Sequence, residues 1–229
     1  MSQTNQEASD SDECRLPADT MLILQEFLRQ KELREKAEET DEGRFEENWQ
    51  LSQFWYNEET KVNLTRIVSH FKAMFETDEF RVALLSSPSL YHHVKKVVNN
   101  ANFSSILPVT LFEFDQRFAS IGQDFKHFDY NRATERDYLE EFRESFDLII
   151  ADPPFLSEEC IEKMGSIVHK LAKPNCRIVL CSGYAVREWA KKFLHLDICK
   201  FEPQHERNLG NEFASYANFD IDSLLAEKA

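Results

Sequence analysis

Phe146-Asp147-Leu148-Ile149-Ile150-Ala151-Asp152-Pro153-Pro154-Phe155 is the stretch that decides the fold. Leu148, Ile149 and Ile150 form a short apolar run with β-branched members, the pattern of a strand buried on both faces of a parallel sheet. Pro153 and Pro154 carry no backbone N–H and cannot continue a central ladder. Each also pushes the residue before it towards extended backbone. The strand is therefore predicted to end at Asp152. A helix follows: Ser157 caps it, and Ile161, Met164, Ile167, Val168 and Leu171 recur at helical spacing. Open α/β sheets bind ligands just beyond the carboxyl ends of their strands. An acid, two stiff carbonyls and the Phe155 ring thus stand where a small molecule would sit. An Asp before proline is also an ordinary turn starter, so an architectural reading stays open beside the chemical one.

Upstream, Phe80 to Leu85 reads as a strand that ends in Ser86-Ser87-Pro88-Ser89. A second strand, Leu107 to Phe114, ends in Glu113-Phe114-Asp115. Rossmann-like folds bind ribose hydroxyls with an acid at that place, and both Glu113 and Asp115 qualify. A third, Phe125 to Phe128, ends in Asp129-Tyr130, where an acid can accept from an adenine amine. Before these strands, four aromatics crowd Trp49 to Tyr56. Phe54, Trp55, Tyr56 and Thr60 are candidates to border a planar ligand, whereas Trp49 is expected to pack against the sheet edge. A helix over about 58–74 is expected to face Val62, Leu64, Ile67, Val68 and Phe71 inwards. Downstream come a strand over 177–181, a helix over 185–194, strands over 196–201 and 212–219, and a polar loop between them. This alternation gives an open, mostly parallel seven-stranded sheet.

In this setting Asp152-Pro153-Pro154-Phe155 resembles the Asp/Asn-Pro-Pro-Tyr/Phe motif of amino-methyltransferases, which use S-adenosylmethionine. The order of elements resembles the class I methyltransferase fold, an α/β, Rossmann-like architecture. Four longer segments, Glu46 to Tyr56, Phe112 to Phe118, Ile150 to Cys160 and Arg207 to Phe213, look like one eukaryotic family. It was first named as probable adenine methyltransferases and later assigned as lysine methyltransferases of translation elongation factor 1-alpha. The resemblance covers about Trp49 to Asp220. It implies S-adenosyl-L-methionine as cofactor, a lysine of elongation factor 1-alpha as acceptor, and catalysis by Asp152, Pro153, Pro154 and Phe155. Ser86, Ser87, Pro88, Glu113, Asp115, Asp129 and Tyr130 would join the aromatic block around the cofactor, and Arg207, Asn208 and Asn211 would meet the substrate. The first loop departs from the wider superfamily: no glycine lies in Ser86 to Ser89, and small serines must leave the room that glycine usually leaves.

The 229 residues are 42% hydrophobic, enough for one α/β domain with an appendage. Residues 1–17 are polar and acidic and read as a disordered tail, 18–45 as a helix and charged linker, and 46–229 as the methyltransferase domain. No apolar run approaches the roughly 18 residues of a membrane span. Five scattered cysteines without a Cys-x-x-Cys pair point to a reducing cytoplasm and no metal site. The net charge of −14 suits a basic protein partner and disfavours a stable grip on a nucleic-acid backbone. Two other readings remain open: an adenine-specific nucleic-acid methyltransferase, and a non-catalytic binding module that keeps the fold.

Overall fold

A computed structural model describes residues 45–75, 80–100, 108–207, 209, 210 and 212–226, the side chains of 97–100 apart. The expected tail, the helix over about 19–36, and Asn208 and Asn211 lie outside these residues. Glu47–Ala229 forms one compact unit.

Seven strands make one sheet in that unit: β1 (Val82–Leu85), β2 (Val109–Glu113), β3 (Phe125–His127), β4 (Phe146–Ala151), β5 (Ala172–Gly183), β6 (Asp197–Ile198) and β7 (Phe213–Ala217). Their order is β3-β2-β1-β4-β5-β7-β6. The first five pair in parallel and β7 runs antiparallel to both its neighbours. The expected final pair is present, with β6 cut to two residues. Among the described residues five α-helices flank the sheet: α1 (Glu58–Ala73), α2 (Tyr91–Asn100), α3 (Glu158–Leu171), α4 (Arg187–Leu194) and α5 (Ile221–Ala226).

Strand β4 sits at the centre because its residues suit both faces. Leu148, Ile149 and Ile150 are wholly buried, and each such aliphatic contributes on the order of 2 kcal/mol by leaving water. Ile149 faces α3 and α4 with Leu85, Phe112, Ile178 and Leu180. Alternation sends Leu148 and Ile150 to the opposite face. Asp152 leaves the ladder, its N–H donating to the Leu85 carbonyl at 2.9 Å. The Ser157 hydroxyl then accepts from the Cys160 N–H, and α3 buries Ile161, Met164, Ile167, Val168 and Leu171 as its spacing requires.

Two expectations are corrected. Val62 is 46% exposed. The inner face of α1 carries Lys61, Leu64, Thr65, Val68 and Phe71 at helical spacing, which leaves Val62 outside it, and the Lys61 ammonium reaches out to the half-exposed Glu206 at 2.7 Å. Trp49 is 63% exposed rather than packed on the sheet edge. It lies on a short turn whose Arg207 neighbour covers its ring at 5.7 Å.

Candidate active site

The strand order reverses on either side of β1, and a cleft opens there beyond the carboxyl ends of β1 to β4. Ser86 and Pro88 line it from β1, Glu113 and Phe114 from β2, Phe128, Asp129 and Tyr130 from β3, and Asp152, Pro154 and Phe155 from β4. The segment Gln50 to Trp55 closes the open side.

Each strand end has its own local cause. Ser86 takes φ +52, the left-handed backbone that glycine usually supplies in such loops. Its N–H is held by the Phe112 carbonyl at 2.8 Å. The Ser87 hydroxyl lies 3.0 Å from the Leu85 carbonyl and 3.3 Å from that of Ile150, fastening the loop to β1 and β4. Thus the missing glycine is replaced by one strained serine and one buried serine. Asp129 accepts from the Asn131 N–H and starts a short turn. The Tyr130 and Phe155 rings meet edge to face at 6.1 Å on the rim.

The two acids after β2 part company. Glu113 lines the cleft, and its Oε1 accepts from Gln53 Nε2 at 3.0 Å and from the Asp115 N–H at 3.1 Å. Burial raises its carboxyl above the usual range, against the pull of those donors. Asp115 is spent on Arg117, which donates from its backbone N–H and its guanidinium. Burial works to raise that carboxyl, but the Arg117 bonds outweigh it and hold it low.

Asp152 ends the central strand and shows one side to the cleft. Its Oδ2 accepts from the Tyr56 hydroxyl at 2.6 Å. Burial pushes this carboxyl up to about 7; the Tyr56 hydrogen bond works downwards and the Glu113 charge upwards. Tyr56 is wholly buried, and burial first, then the Asp152 charge, raises its phenol well above the ordinary value. It therefore stays protonated and donates. Phe155 is 47% exposed at the mouth, free to meet a second molecule.

Several expected site residues do not line the cleft: Tyr56, Thr60, Ser87, Asp115 and Pro153. Tyr56 turns under the wall to Asp152. The Thr60 hydroxyl accepts from the Gln204 N–H and holds the downstream loop. Pro153 is buried behind the edge that Pro154 presents. Arg207 lies beside Glu47, 3.4 Å away, rather than in the cleft. Conversely, Gln53 was not expected. Its amide joins Glu113 to Arg117, whose guanidinium donates to Gln53 Oε1 at 3.2 Å. Glu47 was also not expected. It accepts from the Trp55 N–H at 2.9 Å and from Trp49 Nε1 at 3.2 Å. No group of three or more His, Cys, Asp or Glu among the described residues is placed to hold a metal ion.

An open sheet of this order, with its cleft at the switch point and an Asp-Pro-Pro-Phe edge on the central strand, defines a class I, Rossmann-like methyltransferase. The model of one family, described as probable N6-adenine methyltransferase, matches residues 47–221, and the chain belongs to that family. It is 44% identical to a protein-lysine N-methyltransferase of Drosophila melanogaster, over 95% of this chain and 99% of that one. It is 39% identical to EEF1A lysine methyltransferase 1 of Homo sapiens, over 92% and 94% of the two chains. Among solved structures, a branched-chain polyamine synthase mutein of Thermus thermophilus shares the fold at a TM-score of 0.53. That match covers 76% of this chain and 59% of the other at 14% identity.

Proposed function

We propose that the chain transfers a methyl group from S-adenosyl-L-methionine to a lysine of translation elongation factor 1-alpha. The observation that carries this reading is Asp152, a half-buried carboxyl at the end of the central strand with one face open to the cleft. Relatives named for lysine methylation, one of them for this elongation factor, supply the acceptor.

The cleft suits a nucleoside cofactor on its own chemistry. Glu113 is an acid at the second strand's end, where ribose hydroxyls are held in this class of fold. Asp129 stands one strand further, and Phe54, Phe114 and Phe128 offer apolar walls to a flat base. When bound, the cofactor supplies an electrophilic methyl and a positive charge. A lysine amine, ionised up to a pKa of about 10.4 in water, must shed a proton before its lone pair can attack. The methyl would pass to that lone pair as its bond to the cofactor's sulfur breaks, and the proton shed beforehand would leave to solvent. Asp152, which faces the cleft, accepts a hydrogen bond from the amine and aims it, so alignment does most of the work. Phe155 packs along the lysine stem and over its cation. The protein stays in the cytoplasm, consistent with the free thiols of Cys160, Cys176, Cys181 and Cys199.

The test is incubation of the purified chain with labelled cofactor and either elongation factor 1-alpha or duplex DNA and RNA at physiological salt. Label on a lysine of the factor is expected. Label on adenine alone overturns the reading in favour of the nucleic-acid enzyme that the family's description names.

A further inference from the structure

Asp152 carries two oxygens, and the fold treats them differently. Oδ2 is taken by the Tyr56 hydroxyl at 2.6 Å. Among the described residues no protein donor reaches Oδ1. The backbone of Asp152 is pinned by its own N–H on the Leu85 carbonyl. The carboxylate is thus fixed at both ends, with one oxygen left over. Tyr56 itself has no freedom to let go. It has no solvent exposure, it pairs across a bridge with His205, and the two rings lie 5.0 Å apart. Burial pushes the His205 imidazole down to about 4, against the Glu47 charge, so a neutral ring backs the phenol at neutral pH. The remaining titratable groups that face this pair are Cys181 on β5 and Glu113 on β2. Burial raises the Cys181 thiol, which stays neutral too.

We propose that Tyr56 is a positioning residue for methyl transfer: its phenol grips Asp152 Oδ2 so that Oδ1 is presented to the acceptor amine. This rests on the reading that Asp152 receives that amine. A charge-assisted hydrogen bond does two things here. It removes rotation about the carboxylate's terminal bond, and it stabilises the ionised form that accepts from a cationic or neutral amine. Without the bond, Asp152 keeps its place at the strand end but ionises less readily and wags. Tyr56 does not line the cleft, so cofactor affinity should be unmoved while turnover falls.

The experiment compares Tyr56→Phe, Asp152→Ala and a chain carrying ring-fluorinated tyrosine at this position. The expected result for Tyr56→Phe is calorimetric cofactor binding within about twofold of wild type, kcat lowered by roughly tenfold or more, and the acidic limb of the pH profile displaced upwards. Fluorination makes the phenol a stronger donor and should move that limb downwards. It also keeps the test alive if the deletion of one oxygen prevents folding. A packing role would move neither limb. Unchanged kcat and an unchanged limb in Tyr56→Phe, beside an inactive Asp152→Ala, overturn the proposal alone. An Asp152→Ala enzyme as active as wild type overturns the underlying reading and the proposal with it.

Discussion

Asp152 shows how a single residue can be legible in place and hidden in character. Its position follows from local chemistry: an apolar run, then two prolines that no ladder accepts. Its protonation does not, because that depends on Tyr56 and Glu113, 96 positions away for the first. An ordinary Asp ionises near about 4 in the unfolded chain, whereas this one is held up to about 7 chiefly by burial. The fold therefore binds this proton more tightly than the unfolded chain. The group's contribution to stability is present below about pH 4, shrinks as pH rises towards 7, and is level above. Asp152→Asn keeps an acceptor for Tyr56 and removes the ionisation. Its melting temperature should rise relative to wild type on going from about pH 4 to about pH 8, while methyl transfer is lost. A melting difference that does not change with pH would show that the carboxylate is at ease in its site and serves architecture. Ser86 makes a similar point. The absence of glycine was plain, but nothing in the sequence said that serine would take the left-handed backbone itself.

Elements were legible where periodicity was strong. Strands β1, β2 and β4 and helices α1 and α3 fell close to their expected spans, since apolar spacing and the Ser157 cap are local signals. The strap over residues 47–57 was visible as a dense aromatic block, but not how it is held. Its fastening is made by contacts with the loop at 204–207, which stands far downstream in the sequence. The Asn57 N–H donates to the Gln204 carbonyl and the Glu206 N–H to the Trp55 carbonyl. Glu47, with only 7% of its side chain exposed, ties Trp49, Trp55 and Arg207 together. An acid in an acidic stretch reads as a solvated face, so Glu47 gave no signal of its own. Gln53 was missed for the same reason: its two partners, Glu113 and Arg117, are remote in sequence. Glu47→Ala leaves the Trp55 N–H without its acceptor, at a cost of about 1–3 kcal/mol. The strap closes one side of the cleft, so cofactor affinity should fall by roughly tenfold, and a protease should cut within residues 47–57 sooner. Saturating cofactor should restore protection. Wild-type affinity in this variant would mean that the strap is held without Glu47, by its rings and the backbone bonds to the 204–206 loop.

At the scale of the whole molecule the decisive quantity is charge. The seven-stranded architecture positions the chemistry but is shared with proteins acting on many substrates, so it does not choose between a lysine and an adenine. Under the proposed function, a net charge of −14 would steer a basic protein partner towards the chain and oppose a phosphate backbone. Steering of that kind acts on encounter and is screened as salt rises, since the Debye length shrinks to about 3 Å at 1 M. Methylation of elongation factor 1-alpha should therefore lose kcat/KM by roughly tenfold between about 0.05 and 0.5 M salt, mostly through KM, with kcat little changed. Cofactor affinity, measured alone over the same range, separates screening of the partner from weakening of the cleft. A kcat/KM that holds steady while cofactor binding also holds would show that the acidic surface takes no part in recognition. Docking would then have to rest on uncharged contacts near the mouth, where Phe114 and Phe155 are exposed rings.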